Sequence, residues 1–489
     1  MQRQLGYIYT NGPKEFGNFH LVPDWTSLRL MSWQNNAATV MCDVYDDKEN
    51  DHVLVPYAPH SILRKQIEAA SKPPYKVLTV SELEYYMYEN SYRDARAENY
   101  EKLKLKTLGD YHRSYHLLQT ASEEKYNEAF RYHLKASGIP VENSKREAGI
   151  GQHELNIKFS DVLSMADQLG VSVTFMAKPF IDTAGSGCHI HLSMANASGG
   201  KKAFTADSNS TDSNDKSYHL LQTASEEKNN EAFRYHLKVS GIPVENSKRE
   251  AGIGQHELNI KFSDVLSTAD QLGVSVTFMA KPFIDTAGSG CHIHLSMVNA
   301  SGGKNAFTAD SNSTDSNDKC SPLFKYFLAG WLKYAPDVTV FYAPTINSYK
   351  RLMNASWAPT NLAWSYDNRM TAFRVVGKSQ STRIECRLPG ADCNTYLAFA
   401  ASLASGLRVI ADQLEPPPIF EADIDQTKEL PQVARTLKEA IHAFENSTFE
   451  REVFGEDVVN HYLNFYRQEQ AACETSVTDW ERHRYFEQI

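Results

Sequence analysis

Residues 81–88 read SELEYYMY. Side chains of a strand alternate between its faces, so a strand here sets Glu82 and Glu84 on one side and Leu83, Tyr85 and Met87 on the other. Two residues of strand separate the carboxylates by about 7 Å, near enough for both to address one small cluster of cations. Three further stretches repeat this arrangement. Residues 151–159, GQHELNIKF, set Gln152, Glu154, Asn156 and Lys158 against Leu155, Ile157 and Phe159. Residues 188–193, CHIHLS, align His189 with His191 against Ile190 and Leu192. Residues 381–388, STRIECRL, align Arg383, Glu385 and Arg387 against Ile384, Cys386 and Leu388.

An ionisable front on an apolar back is also the ordinary pattern of an antiparallel sheet with one solvated side, and spacing alone favours that bland reading. Two details count against it. Histidines are uncommon on a merely solvated strand, and Gly185-Ser186-Gly187 leads directly into the His pair, as where backbone must approach a ligand. Carboxylates and imidazoles with arginines from one strand suit magnesium or manganese holding a nucleotide phosphate.

Residues 114–216 recur as residues 217–319, with differences only at Tyr126/Asn229, Ala136/Val239, Met165/Thr268, Ala195/Val298 and Lys202/Asn305. A 103-residue period is not the rhythm of a solenoid or propeller. It reads as a tandem duplication or a fault in the gene model. Only one set of strands can occupy each place in a sheet, so we expect one site built from a mixture of the copies, with the displaced residues outside it as a partly folded insertion.

A helix is expected from Ser61 as N-cap to the Lys72-Pro73-Pro74 break, and another from Ser122 as N-cap, with Glu123 and Glu124 in its first turn, to Gly138 and Pro140. Residues 39–46 read as a strand, residues 324–336 as helical, residues 371–388 as strand-like, and helices follow from Thr395. Mixed strands and helices without βαβ alternation give an α+β class with an antiparallel sheet. The net charge of −10 argues against a non-specific grip on nucleic acid. No signal peptide or membrane span is read, and seven scattered cysteines read as reduced thiols, which implies a cytoplasmic protein.

EAGIGQHELN, VTFMAKPF…GSGCHIHLS, NSYKRL…SWAPT and RIECRLPGADCNTYLAFAASLASGL, taken together and in order, resemble the glutamine synthetase family, in particular the bacterial-type relatives that ligate glutamate to amines. The resemblance runs from about Gly6 to the C-terminus with the repeat counted once. It implies a large curved antiparallel sheet with flanking helices over residues 58–489, and a truncated β-grasp-like piece over residues 1–57. It further implies a γ-glutamyl ligase that uses ATP, two Mg²⁺ or Mn²⁺ ions per site and a γ-glutamyl phosphate intermediate, in a ring-forming homo-oligomer. Ordinary glutamine synthetase with ammonia as acceptor is the alternative, and a catalytically impaired relative a third.

Carried over by position, one metal site takes Glu84, Glu147 and Glu154, and the other Glu82, His189 and Glu385; in the second copy Glu250, Glu257 and His292 hold the equivalent places. The resemblance gives Arg351 and Arg387, with Gly185 or Gly288, to glutamate, and Arg369, Arg374 and Arg383 to phosphates, Arg369 and Arg387 being catalytic. His191 and Ser193, or His294 and Ser296, fall to the nucleotide. Trp357 stands where ammonia-using members have a glutamate; an indole cannot accept a proton, but its π face can hold an organic ammonium, so a larger amine is expected. Ala184 and Ala287 replace an asparagine that contacts glutamate in many members, and Tyr9-Thr10-Asn11-Gly12 stands without the acid of the N-terminal piece. Relatives typically carry a further helix of roughly four turns where both copies are shortened, between Ala166 and Gln168 and between Ala269 and Gln271; removing it would expose core or force other elements to close the gap.

Overall fold

The computed structural model describes residues 19–33, 38–48, 51–71, 75–107, 117–169, 263–301, 303–309, 320–353, 358–421 and 430–486. The chain divides into two compact units, one of residues 1–33, 39–172 and 258–489, the other of residues 34–38 and 173–257. All described residues except Ala38 belong to the first unit. The expected displaced insertion lies outside the described residues.

The strand containing residues 81–88 is longer than its core motif. It runs over Tyr75–Tyr88, and Leu83, Tyr85 and Met87 are buried behind it as alternation requires. It is the fourth strand, β4, after a separate three-stranded sheet of β1 (Phe19–Leu30), β2 (Ala38–Lys48) and β3 (Asp51–Leu54). Then come β5 (Val141–Arg146), β6 (Gln152–Ile157), β7 (Ser160–Asp161), β8 (Ser275–Thr277), β9 (Cys291–Asn299), β10 (Trp364–Tyr366), β11 (Phe373–Val376) and β12 (Arg383–Cys386). The large sheet is ordered β10-β11-β12-β9-β4-β6-β5, with β7 and β8 also paired to β4. Among the described residues the strand pairings of this sheet are antiparallel except that of β10 with β11, which is parallel. Only that edge pair departs from the antiparallel sheet expected.

β4 thus has β6 from the first repeat on one side and β9 from the second repeat on the other. The sheet is a composite of the two copies. Its rear packs into one core with helices Pro322–Tyr334 and Thr395–Arg408, where Trp331, Phe327 and Leu403 are fully buried.

Helix starts differ from the sequence reading in two places. Helix Pro59–Ala70 begins before Ser61, which is buried inside its first turn; Pro59 supplies a fixed φ where no intrahelical N–H is needed. Helix Leu117–Ala136 passes through Ser122, so Glu123 is an interior residue, buried under the sheet. Its end is where expected, with Gly138 at a φ of +82°. Phe159 lies beyond the end of β6 and is exposed, with the Arg383 guanidinium 5.7 Å from its ring, so it does not join the apolar back.

Two segments that differ only at Met165/Thr268 make two helices. Val162–Leu169 and Ser263–Gln271 are equivalent segments of the two copies, yet the first packs against β4 and helices Pro59–Ala70 and Thr395–Arg408, and the second against helix Leu117–Ala136 and β8. Val162, Met165, Ala166 and Leu169 are buried in the first, and Val265, Thr268 and Ala269 in the second. Equivalent segments of the two copies thus serve in two different packing places. No described helix is long and apolar enough to cross a membrane.

A chain carrying a single copy has that segment once and leaves one of the two packing places empty. Vacating several buried apolar side chains costs on the order of 5 kcal/mol or more, comparable with the whole stability of an ordinary domain at about 5–15 kcal/mol. Removing residues 114–216, or instead 217–319, is expected to abolish cooperative thermal unfolding followed by circular dichroism. A single-copy chain melting like the intact one would show that the second helix contributes nothing.

Candidate functional site

The front of the sheet is buried rather than solvated. Glu385 is 0% exposed, His294 2%, Glu154 3%, His292 5% and Glu84 9%. Such burial of ionisable groups requires balancing charge, protons or ligands, and it removes the bland reading of an exposed sheet face.

Strand register assembles two acidic clusters. Glu84 faces Glu154 across β4 and β6, and Glu147 follows β5, its N–H donating to the Gln152 carbonyl at 3.0 Å. One carboxylate oxygen from each of Glu84, Glu147 and Glu154 lies within 4.8 Å of the others. Glu82 faces His292 across β4 and β9, and Glu385 faces His294 across β12 and β9. Glu82, His294 and Glu385 form the second group within 4.8 Å.

The clusters differ in charge balance. In the first, burial and the charges of Glu147 and Glu154 push the Glu84 carboxyl up to about 8. Lys145 reaches Glu154 at 2.7 Å, and Gln152 donates to Glu84 at 3.4 Å and to the Gly288 carbonyl at 3.1 Å. In the second, burial raises Glu385, but His294, Arg387 and His292 more than offset this and hold it at about 2. Burial likewise opposes ionisation of Glu82, and hydrogen bonds from His292 and His294 hold its carboxyl well below the usual range. Arg374 donates to Glu385 Oε2 at 2.8 Å and Arg387 to its Oε1 at 2.5 Å.

An all-carboxylate donor set is the chemistry of hard divalent ions such as magnesium or manganese, while a carboxylate-imidazole set serves manganese and zinc alike. Burial, and with it the crowding of Glu147 and Glu154, raises the Glu84 carboxyl, and a divalent ion would offset both, so the residues present fit the expected metals.

His292 Nδ1 lies 3.3 Å from Glu82 and 3.6 Å from Glu385, so the expected ligand adjoins the second cluster. His294, expected beside the nucleotide, also reaches it: its Nε2 is 3.1 Å from Glu82, while Arg383 donates to its Nδ1 at 3.1 Å. Ser296 is buried, donating to the Thr382 carbonyl at 2.9 Å. Arg351 is buried and donates to the carbonyls of Leu388 at 2.8 Å and Arg387 at 3.0 Å. It passes close to the Gly288-Ser289-Gly290 turn: a Cβ at Gly288 would lie 2.6 Å from Arg351 Cγ, and one at Gly290 2.7 Å from His292 Nε2. The two glycines are thus set by close approach of a side chain. Arg369 stands on the exposed turn between β10 and β11, with no described hydrogen bond or ion pair to either cluster.

His189, His191, Ser193, Gly185, Ala184, Glu250, Glu257, Trp357 and the Tyr9-Asn11 stretch lie outside the described residues. The sequence reading missed Lys145, whose strand position gave no sign of its carboxylate partner, and Asn305. Asn305 donates to Ser296 Oγ at 3.1 Å and to the carbonyls of Gln380 at 3.0 Å and Thr382 at 2.8 Å, bracing β9 against the start of β12. That it is one of the five positions differing between the copies was the available signal.

A family profile described as the glutamine synthetase catalytic domain matches residues 56–222 and, separately, residues 207–485. The chain is 30% identical over 484 residues to the gamma-glutamylethanolamide synthetase GlnA4 of Streptomyces coelicolor, spanning 99% of this chain and 82% of that protein. It is 27% identical over 487 residues to the glutamate–isopropylamine ligase of a Pseudomonas species, spanning 99% and 84% respectively. A solved GmaS/ADP complex matches with a TM-score of 0.69 at 21% identity over 98% of this chain and 87% of that one, a likeness of fold.

Two outcomes follow from this geometry. Glu154→Ala and His294→Ala should abolish Mn²⁺ binding at their respective clusters, measured by titration calorimetry, whereas Glu257→Ala and His191→Ala should leave both binding events intact; equal effects from the two copies would refute the composite site. The pH dependence is set by Glu84, raised to about 8 from an unfolded value of about 4.3. Its contribution to stability is present below the unfolded value and is lost as pH rises toward 8. A divalent ion must expel its proton, so Mn²⁺ affinity at the first cluster should rise about tenfold per pH unit below 8 and level off above, while the metal-free melting temperature falls over the same range. A flat affinity between pH 6.5 and about 8 would contradict this.

Proposed function

Because this chain belongs to the glutamine synthetase family, we propose that it is an ATP-dependent ligase forming a γ-glutamyl amide from glutamate and an organic amine. The observation carrying this reading is that two acidic clusters, Glu84/Glu147/Glu154 and Glu82/His294/Glu385, share one buried sheet front with Arg374, Arg383 and Arg387.

In the reaction the glutamate γ-carboxylate oxygen attacks the γ-phosphorus of ATP, ADP leaves, and the carboxyl becomes a γ-glutamyl phosphate. The amine nitrogen then attacks the acyl carbon, phosphate leaves, and the nitrogen gives up a proton to form the amide. Glu84, Glu147 and Glu154 would hold one Mg²⁺ or Mn²⁺ ion, and Glu82 and Glu385 with His292 or His294 the other; bound there, such ions neutralise phosphate charge. Arg374 and Arg383, on adjacent strands, offer planar donor forks to phosphate oxygens, and Arg351 and Arg387 to the carboxylates of glutamate. Arg369, on its exposed turn, is positioned to contribute only if that turn folds inward over bound nucleotide.

The organic amine is favoured over ammonia by the relatives named for ethanolamide and isopropylamine chemistry and by Trp357 in place of an acid. An indole face attracts an alkylammonium through its π cloud but provides no base for ammonium itself. We further assign residues 1–57 as a β-grasp-like piece, the working form as a homo-oligomer, and the location as cytoplasmic, all in keeping with the family.

The decisive assay is glutamate-dependent ADP release with ethanolamine, isopropylamine or ammonium as acceptor. The expected result is a kcat/KM at least about tenfold higher for an amine than for ammonium, and a loss of about a hundredfold or more in Glu82→Ala. Preference for ammonium would make the protein an ordinary glutamine synthetase; no glutamate-dependent ADP with any acceptor would make it a catalytically impaired relative.

A further inference from the structure

Behind the first acidic cluster lies a polar network that the reaction does not use. Glu123 and Asn127, one turn apart on helix Leu117–Ala136, are both 0% exposed and face the rear of the sheet. Arg146 Nη1 donates to Glu123 Oε1 at 2.9 Å, and His153 Nε2 faces Glu123 Oε2 at 3.2 Å. Asn127 Nδ2 meets His153 Nδ1 at 3.4 Å, and the Tyr85 hydroxyl donates to Asn127 Oδ1 at 3.3 Å. Tyr85 also stacks on His153, with ring centroids 5.6 Å apart. Hydrogen bonds thus run from Tyr85 to Asn127 and between Asn127 and His153, and His153 Nε2 lies within ion-pair distance of Glu123.

The arrangement has a simple relation to the front. Tyr85, Arg146 and His153 are each the sequence neighbour of one member of the cluster, preceding Glu147 and Glu154 and following Glu84. Alternation sends each carboxylate forward from a backbone whose adjacent side chain is held behind. Glu123 thereby clasps β5 to β6, and Asn127 ties β6 to β4. Such a clasp matters because the β5–β6 pairing is irregular between Val141 and Asn143 and Glu147 lies just past the end of β5.

We propose that Glu123 and Asn127 are positioning residues for the Glu84/Glu147/Glu154 cluster, fixing from behind the sheet the spacing of three carboxylates that receive one divalent cation. This rests on the reading of that cluster as a cation site. Partners that orient a ligating side chain are commonly worth 10- to 100-fold in metal affinity.

The test is Mn²⁺ titration calorimetry on the metal-free full chain, paired with thermal melting. Glu123→Gln and Asn127→Leu should each weaken Mn²⁺ binding at the first cluster by about tenfold or more, with binding at the Glu82/His294/Glu385 cluster unchanged. Two controls separate positioning from general destabilisation. Leu134→Ala, which empties a buried site on the same helix, should lower the melting temperature and leave Mn²⁺ affinity as it was. Glu226→Gln, the same change in the second copy, should alter neither. If Glu123→Gln does not fold, the uncharged Asn127→Leu change still decides the matter. Variants that melt lower but bind Mn²⁺ like the unmodified protein would overturn the positioning role alone, whereas an unmodified protein that binds no Mn²⁺ at the first cluster would overturn the cation reading beneath it.

Discussion

Carboxylates crowded together inside a protein repel one another and lose their hydration, so they persist only where protons, fixed cations or bound ions restore the balance. This constraint runs through the sheet of the present chain. The second cluster answers it with arginines: Arg374 and Arg387 take the two oxygens of Glu385, and the imidazoles take Glu82. The first answers it in part with Lys145 and in part by retaining a proton on Glu84. Of the two, the first has more to gain from a divalent ion, while an ion entering the second must compete with ion pairs already made.

The same constraint shapes the rear. Glu123 and Arg146 are a fully buried pair, and a buried pair of this kind costs desolvation on both sides, so it is weak as a source of stability. Its value lies in direction: an Arg hydrogen-bonded to a carboxylate, with an imidazole in close contact with the same carboxylate, permits few relative placements of β5 and β6, where an apolar contact would tolerate sliding.

Two of the five differences between the repeats align with which half of each copy builds the sheet. Tyr126 is buried in the core where the other copy has Asn229, whose amide would be costly at that place. Asn305 makes a set of hydrogen bonds to β9 and β12 that Lys202 would not reproduce there, since a lysine has donors but no acceptor for the Phe307 N–H that Asn305 Oδ1 receives at 2.8 Å. Met165 and Thr268 are both buried, but in different surroundings, and Thr268 Oγ1 lacks a described hydrogen-bond partner. A nearly exact duplication has thus yielded two copies with different structural duties.

The sequence by itself determined the strands, their apolar backs and the acids on their fronts, because a period of two residues is a local property that needs no knowledge of neighbours. It also determined the family, through motifs whose order along the chain is more specific than any one of them. Two helix starts were misread because Ser61 and Ser122 have the chemistry of a cap, and only packing turned them inward. Tertiary structure alone decided that the front is buried, that β6 comes from the first copy and β9 from the second, and that equivalent helical segments of the two copies fill two unlike places. Nearly identical segments carry nearly identical local preferences, so apart from positions such as Tyr126 and Asn305 the choice falls to which strand each can reach beside β4.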